Sequence, residues 1–260
     1  MSAIISERPA EPAKRSLDDI CFIIPAAGRG ERMGAAVSKQ YLPLCGQPLL
    51  AHTLLRLLAL RPRQVVLVVA PDDSRWCEIE GVELCTVVVG GDTRAASVLA
   101  GLGGVAEPGW VMVHDAARPC VRAADVLRLY DVVSKTVTGG LLGVPVTDTV
   151  KSVRNNVVVA SPDRSHLWLA QTPQMFPRDL LTSALRQGQA QSLQLTDEAS
   201  AVEALGVQPL VVLGSRDNIK VTHADDLALA AYFLQQQASD LVISRSGRSN
   251  PSPVIDASST

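Results

Sequence analysis

The chain has 260 residues, of which 47% are hydrophobic and 19% charged, a composition typical of a globular protein and not of a disordered or fibrous one. A formal net charge of −2 and only 3% aromatic residues argue against long nucleic acid as a partner, which needs a basic field and stacking surfaces. The five cysteines lack a CxxC spacing, which disfavours a zinc or disulfide framework and favours the reducing cytoplasm, and no apolar run is long enough to predict a membrane span.

The first predicted element is a buried strand over Ile20–Ile24, which ends at Pro25. The loop after it has residues no larger than alanine at several positions, so backbone N–H groups can approach an anion closely. Arg29, Arg32 and Lys39 follow and can neutralise a polyphosphate. A tight turn before a helix is the alternative, but the segment favours a nucleotide-phosphate site formed by Pro25, Ala26, Ala27, Gly28 and Gly30.

Two familiar glycine-rich nucleotide motifs do not fit this loop. The dinucleotide fingerprint GxGxxG would start at Gly28, but Met33 occupies the position of its last glycine. The phosphate-loop pattern GxxxxGK[ST] fails at the same residue. Neither a nicotinamide enzyme nor a phosphate-loop ATPase is therefore the natural interpretation.

Further along, short apolar runs alternate with helical patterns. The predicted strands are Val65–Ala70, Leu84–Val89, Trp110–His114, Gly140–Val146 and Pro209–Leu213, and the predicted helices are Leu49–Leu60, Thr93–Ala106, Ala123–Lys135, Arg178–Gln187, Asp197–Leu205 and His223–Gln237. Such alternation indicates a doubly wound α/β fold with a mostly parallel sheet, which binds ligands beyond the carboxyl ends of its strands. We expect a single domain over 19–238, between polar, mobile tails at 1–18 and 239–260.

The loops after two of these strands carry candidate chemistry. Gly91, Asp92 and Ser97 follow the run Leu84–Val89, where exposed glycine backbone can meet a base edge, although Asp92 or Thr93 could simply cap the next helix. Asp115 follows Trp110–His114, where a carboxylate beside a phosphate loop would hold Mg²⁺, unless it is a cap. His114 is interpreted as a packed neutral histidine with no catalytic role.

The segment Thr147–Ala160 departs from the α/β alternation and predicts a hairpin turning at Asn155–Asn156. An isolated two-stranded ribbon is marginal in water, so it should pack against another subunit or fold back on its own domain. We expect this arm to span about 146–165. Arg164 and Lys220 then add cations, and Thr149 and Thr196 add neutral donors, as a second phosphorylated molecule would require.

The segments PAAGRGERMG, SKQYLPL, GGDTRAAS, VHDAARP, PVTDTVK, DRSHLW, QTPQMF, TDEAS and DNIKVT occur in this order along the chain. Together they resemble the 2-C-methyl-D-erythritol 4-phosphate cytidylyltransferases of non-mevalonate isoprenoid biosynthesis, from Ile20 to about Phe233. The resemblance implies a Rossmann-like nucleotidyltransferase fold with a protruding β-hairpin arm. It also implies a homodimer that transfers a cytidylyl group from CTP to methylerythritol phosphate and releases pyrophosphate.

The resemblance assigns roles by position. Arg32 and Lys39 would stabilise the α-phosphorus and the triphosphate, and Asp115 would face Mg²⁺. Ala26, Ala27, Gly28, Gly91, Asp92 and Ser97 would hold CTP, while Arg118, Thr149, Arg164, Thr196 and Lys220 would surround methylerythritol phosphate. Thr149 and Arg164 would come from the opposite subunit. Ser38 replaces the proline usual before the lysine, which loosens the loop that carries Lys39.

The resemblance implies direct attack of an ionised substrate phosphate on CTP, which needs no general base. Lys220 would join Arg32, Lys39 and Mg²⁺ in stabilising the charge on the α-phosphoryl group. One alternative is a cytidylyltransferase for another polyol phosphate, such as ribitol 5-phosphate, with a different acceptor pocket. Another is a non-catalytic nucleotide-binding regulatory protein, and a dehydrogenase is the weakest.

Overall fold

The computed structural model of the chain describes residues 17–28, 38–107 and 109–246, with side chains as far as residue 238. Its strands are β1 (Leu17–Pro25), β2 (Pro43–Leu44), β3 (Gln47–Pro48), β4 (Pro62–Val69), β5 (Thr86–Val89), β6 (Trp110–Val113), β7 (Gly140–Pro145), β8 (Ser152–Arg154), β9 (Val157–Ala160), β10 (Trp168–Pro177) and β11 (Leu210–Leu213). Seven of them form a central sheet in the order β11-β7-β10-β6-β1-β4-β5. Only β10 is antiparallel to its neighbours in this sheet, so the predicted mostly parallel sheet is confirmed.

Helices cover both faces of this sheet. They are α1 (Leu49–Leu58), α2 (Arg94–Gly103), α3 (Ala123–Val133), α4 (Arg178–Ala190), α5 (Glu198–Glu203) and α6 (Asp225–Ser246). Successive residues of β1 point to opposite faces, because side chains alternate along a strand. Phe22 and Ile24 belong to the cluster that buries α1 and α3, whereas Cys21 and Ile23 belong to the cluster that buries α2, α4 and α5.

The last helix packs against the loops that follow β6 and β11. Ala230 and Leu234 of α6 share a buried cluster with Ala117, Cys120 and Val221. None of the helices in the described part of the chain combines the length and the hydropathy that crossing a membrane requires. α6 therefore serves here to close one side of the domain.

The structure extends or adds elements relative to the predictions. β10 was not predicted, because its sequence WLAQTPQMFP contains two prolines, which are typical of a loop, and its Thr172–Pro173 bond is cis. β1 begins at Leu17 and α6 continues to Ser246, both within the segments predicted as tails. The remaining predicted tail residues, 1–16 and 247–260, lie outside the described residues.

The predicted hairpin forms between β8 and β9, and its turn residues Asn155 and Asn156 have positive φ angles of 49° and 63°. Every residue of both strands is exposed, so the described part of the domain does not cover this arm. Its apolar side chains are Val153, Val157, Val158 and Val159, each more than half exposed. Among the described residues, the arm therefore does not pack against the body of its own domain.

Candidate active site

A cleft of about 190 Å³ opens beyond the carboxyl ends of β1, β5, β6 and β11. It is lined by Pro25, Ala26, Ala27, Gly28, Lys39, Gln40, Gly91, Asp92, Thr93, Arg94, Ser97, Asp115, Ala116, Ala117 and Lys220. The cleft therefore brings together the predicted phosphate loop, the glycine turn, the predicted metal ligand and two predicted catalytic cations. Gly30 and Arg32, together with Arg29, lie outside the described residues.

The beginning of the phosphate loop is held by the sheet and by one buried glutamine. The Ala26 N–H donates to the Val68 carbonyl at 2.7 Å, which continues the pairing of β1 with β4. The Gln40 side chain donates to the Ala26 carbonyl at 2.8 Å. A Cβ built on Gly28 would meet no atom of the described residues within 4 Å. Ser38 precedes a short 3₁₀ turn, Lys39–Tyr41, and has a φ of −58°, a value that proline also adopts.

The turn after β5 leaves no room for larger side chains. A Cβ on Gly90 would lie 2.7 Å from Ser97 Oγ and 2.9 Å from Ala27 Cβ. Ser97 Oγ in turn donates to the Gly91 carbonyl at 3.1 Å. Thr93 caps α2, since its side chain accepts from the Ala96 N–H at 3.0 Å. Asp92 is thus not the cap, and its carboxylate remains exposed at the cleft.

Asp115 is the electrostatic centre of the cleft. Its Oδ1 accepts from Arg94 Nη2 at 3.0 Å, and its Oδ2 lies 2.8 Å from Lys220 Nζ and 3.6 Å from Arg118 Nε. Burial alone would raise the pKa of this carboxyl, but Arg94, Lys220 and Arg118 together hold that pKa well below its usual range. Asp115 is therefore a carboxylate at neutral pH, surrounded by cations.

Arg94 is the residue that the sequence analysis missed. Besides Asp115, its guanidinium donates to both carboxylate oxygens of Glu198, at 2.5 and 3.0 Å. These two carboxylates raise the pKa of Arg94 above its already high ordinary value. Arg94 lies in the segment GGDTRAAS and Glu198 in TDEAS. Each is a charged residue of a site segment to which the sequence analysis gave no role, and this was the signal that could have indicated the pair.

Arg118 ties the loop after β6 to the loop that carries Lys220. Its guanidinium donates to the Asn218 carbonyl at 2.6 Å and to the Ala170 carbonyl at 3.3 Å. The Val221 N–H also donates to the Ala117 carbonyl at 2.9 Å, which joins the same two loops. Arg118 is buried and does not line the cleft, and its Nε lies 3.6 Å from Asp115 Oδ2.

His114 is neutral and serves the packing of the site, as predicted. Full burial lowers its pKa to about 4. Its Nε2 lies 3.1 Å from the Arg118 carbonyl, which can only accept, so Nε2 carries the proton. Thr172 Oγ1 accepts from the Asp115 N–H and lies 3.0 Å from His114 Nδ1, to which it donates.

The remaining predicted site residues do not reach this cleft within one chain. Thr149, Arg164 and Thr196 are all exposed, and none of them lines it. Arg164 Nη1 donates to the Thr147 carbonyl at the base of the arm. Thr196 precedes Asp197, which caps α5 through a reciprocal capping box with Ser200.

Comparisons with known proteins all identify the same enzyme family. The family model described as IspD, 2-C-methyl-D-erythritol 4-phosphate cytidylyltransferase, matches residues 20–236. A curated protein of that name from Escherichia coli O157:H7 is 45% identical over 221 residues, which cover 83% of this chain and 94% of the relative.

Solved structures of the same name share the fold. The Francisella tularensis enzyme superimposes with a TM-score of 0.72 at 36% identity, over 83% of this chain and 99% of the other. The Thermus thermophilus enzyme gives a TM-score of 0.71 at 29% identity, over 82% of this chain and 98% of the other.

Proposed function

Since the chain belongs to the 2-C-methyl-D-erythritol 4-phosphate cytidylyltransferase family, we propose that the cleft around Asp115 is where it acts. The reaction transfers a cytidylyl group from CTP to 2-C-methyl-D-erythritol 4-phosphate, giving 4-diphosphocytidyl-2-C-methyl-D-erythritol and pyrophosphate. One observation carries this placement: Asp115, Lys39 and Lys220 line the same cleft as the small-residue loop Pro25–Gly28.

In this proposal CTP lies across the carboxyl ends of β1 and β5. The Ala26 N–H is already bonded to Val68, so the phosphates contact the backbone from Ala27 and Gly28 onward, with Gly30 and Arg32 beyond. The cytosine edge meets the Gly91 backbone and Asp92. The neighbouring residue 90 has to be glycine because a Cβ there would clash with Ser97 and Ala27, so no side chain at that position obstructs the ring. Ser97 supports this turn through its bond to Gly91.

The chemical step needs alignment and charge stabilisation. An ionised oxygen of the acceptor phosphate attacks the α-phosphorus of CTP, a new P–O bond forms, and the bond to the β-phosphate oxygen breaks. Pyrophosphate leaves with that electron pair, and no protein group has to remove a proton. Lys39 and Lys220 line the cleft, and with Arg32 they offset the repulsion between two anions and stabilise the charge that develops.

The Asp115 carboxylate suits a Mg²⁺ ion whose other ligands are water and the phosphates of the nucleotide. In the described ranges no three acidic, histidine or cysteine side chains cluster as an all-protein cage would. Mg²⁺ commonly takes one or two carboxylates, several waters and substrate phosphates, and Asp115 is an ionised carboxylate at the cleft. Bound there, Mg²⁺ would neutralise part of the triphosphate charge.

The acceptor side of the site is completed by a second subunit in this proposal. Thr149 and Arg164 lie on or beside the exposed arm, away from their own cleft, so as a pair they fit the acceptor in a partner's cleft. The exposed valines of β8 and β9, with Trp168 and Leu169 at the start of β10, supply apolar area for a homodimer. Arg118, whose Nε lies 3.6 Å from Asp115 Oδ2, and Thr196 keep the acceptor-site roles that the resemblance implies, although neither of them lines the described cleft.

The domain boundaries and the compartment also belong to the proposal. One nucleotidyltransferase domain covers the predicted range 19–238, extended by the start of β1 at Leu17 and the end of α6 at Ser246, with the dimerisation arm at about 146–165. All five cysteines are free thiols, which supports the reducing cytoplasm as the place of action.

Measuring the release of pyrophosphate from CTP in the presence of Mg²⁺ tests the function directly. We expect turnover with 2-C-methyl-D-erythritol 4-phosphate and little with ribitol 5-phosphate at equal concentration. The Asp115→Asn variant should lose most of this turnover, whereas Asp131→Asn, an acidic position away from the cleft, should not. Equal or greater turnover with ribitol 5-phosphate would assign a different acceptor, and CTP binding without turnover would favour the regulatory alternative.

A further inference from the structure

Arg94 bonds two carboxylates with two different edges of its guanidinium. Nε and Nη2 both donate to Oδ1 of Asp115, at 3.2 and 3.0 Å. Nη1 and Nη2 donate to Oε1 and Oε2 of Glu198, at 2.5 and 3.0 Å. The planar guanidinium group of Arg94 is therefore fixed on one edge by Asp115 and on another by Glu198, as its geometry allows.

Glu198 gives Arg94 a rigid attachment. Its side chain is 1% exposed, whereas that of Arg94 is 30% exposed. Glu198 begins α5, and the adjoining residues are pinned to β10, since Gln174 accepts from the Ala199 N–H and donates to Asp197, each at 2.8 Å. Burial raises the pKa of the Glu198 carboxyl, and Arg94, the partner that it contacts, opposes this shift by stabilising the ionised form.

The two oxygens of Asp115 are consequently not equivalent. Oδ1 is held by Arg94, which the buried Glu198 fixes in place. Oδ2 lies 2.8 Å from Nζ of Lys220, whose side chain is 41% exposed and can turn toward a ligand, and 3.6 Å from Nε of the buried Arg118. We infer that Arg94 is a positioning residue that fixes Oδ1 of Asp115 and leaves Oδ2 to exchange Lys220 for the nucleotide's divalent cation.

This inference rests on the proposed function and adds to it a division of labour. Arg94 sets the direction of the carboxylate, and Lys220 would be free to turn toward the reacting phosphates if Oδ2 held the cation. A lysine at position 94 would neutralise Glu198 but could not present two N–H edges at once. The effect of the charge at position 94 can therefore be tested separately from the effect of the guanidinium geometry.

The decisive variant is Arg94→Gln combined with Glu198→Gln. Arg94→Gln alone leaves the buried Glu198 charge unpaired and should lower the melting temperature by several degrees. The double variant removes that unpaired charge, so its melting temperature should return close to that of the wild type. Its kcat should nevertheless stay about 10–100-fold low, with a smaller change in KM for the acceptor, as is common when a residue that orients a metal ligand is lost.

Calorimetry with CTP alone gives a readout that needs no turnover. We expect Mg²⁺ to increase CTP affinity in the wild type, and expect the double variant to lose that increase. The matched control is Arg128→Gln with Asp125→Asn, another arginine paired at 2.8 Å with a buried carboxylate but away from the cleft. This control should keep both kcat and the Mg²⁺ effect.

Recovery of kcat and of the Mg²⁺ effect together with the melting temperature in the double variant would overturn the inference, because Arg94 would then only neutralise Glu198. Absence of any Mg²⁺ effect on CTP binding in the wild type would also overturn it. If the double variant fails to regain stability, Arg94→Lys decides, and full activity there would contradict the inference. A wild type that binds CTP but transfers nothing would instead count against the proposed function.

Discussion

Lys220 Nζ lies 2.8 Å from Oδ2 of Asp115, although the two residues belong to loops that follow different strands, β11 and β6. Their backbones are joined beside this pair, since the Val221 N–H donates to the Ala117 carbonyl. Arg118 adds a second tie through the Asn218 carbonyl. The position of Lys220 is therefore set by the fold, while its ammonium group, on a long and partly exposed side chain, can turn toward a phosphate.

Lys220→Gln should lower kcat by about 10²–10³, by analogy with the loss of one preorganised donor at a developing charge. Asp115 keeps Arg94 and Arg118 in this variant, so the fold and the melting temperature should hardly change. Steady-state pyrophosphate release checks the rate, and Lys135→Gln, an exposed lysine outside the cleft, is the control. Turnover within a few-fold of the wild type would show that Lys220 only neutralises Asp115.

Lys39→Ala should also reduce the rate by about 10²–10³ with the fold intact, because it removes a cation from the triphosphate. We expect the same of Arg32→Ala, whose position lies outside the described residues. Circular dichroism and thermal melting of each variant separate lost chemistry from lost structure. Near-normal turnover with CTP in either variant would remove that residue from the catalytic assignment.

Local sequence signals were sufficient where structure depends on neighbours in the chain. The apolar runs of the six parallel strands and the asparagine turn of the arm were predicted and are confirmed, and the described parts of the loops after β1, β5, β6 and β11 border one cleft. These features follow from side-chain period, turn chemistry and the rule that ligands bind at the carboxyl ends of parallel strands.

The predictions failed where partners are distant in the chain. Arg94 and Glu198 are 104 positions apart, and no spacing in a single sequence indicates that they pair. β10 was missed because its two prolines are typical of a loop when the segment is considered alone. It is a strand because it pairs with β6 on one side and with β7 on the other.

Two glycines of α2 should respond to alanine in opposite ways. A Cβ on Gly101 would lie 2.6 Å from Ile23 and 2.8 Å from Val68, whereas a Cβ on Gly103 would meet no atom of the described residues within 4 Å. Gly101→Ala should therefore destabilise the protein by about 1–3 kcal/mol through overpacking. Gly103→Ala should stabilise it by about 0.5 kcal/mol, because alanine restricts the unfolded chain. Urea unfolding measures both, and a Gly101→Ala variant as stable as the wild type would mean that α2 can shift away from the sheet.

Mixed dimers can show whether the arm serves the neighbouring cleft. Lys39→Ala damages the cleft of its own subunit, and Arg164→Ala, under the proposal, damages the cleft of its partner. In a dimer of one variant with the other, one site then contains both defects and the second contains none. Random pairing of the two inactive variants in a two-fold dimer should restore about a quarter of wild-type turnover.

The control for that experiment is a mixture of Arg164→Ala with Thr149→Ala. These residues lie beside the base of the same arm, Thr149 just before β8 and Arg164 just after β9, so each site of a mixed dimer receives one defective arm. No recovery is expected from this pair, although the protein concentrations and the mixing procedure are the same. If the mixture of Lys39→Ala with Arg164→Ala also stays at the sum of its separate activities, Arg164 acts in its own subunit or not at all. The exposed arm would then need another explanation, because a ribbon with four valines more than half exposed is poorly stabilised without a covering surface.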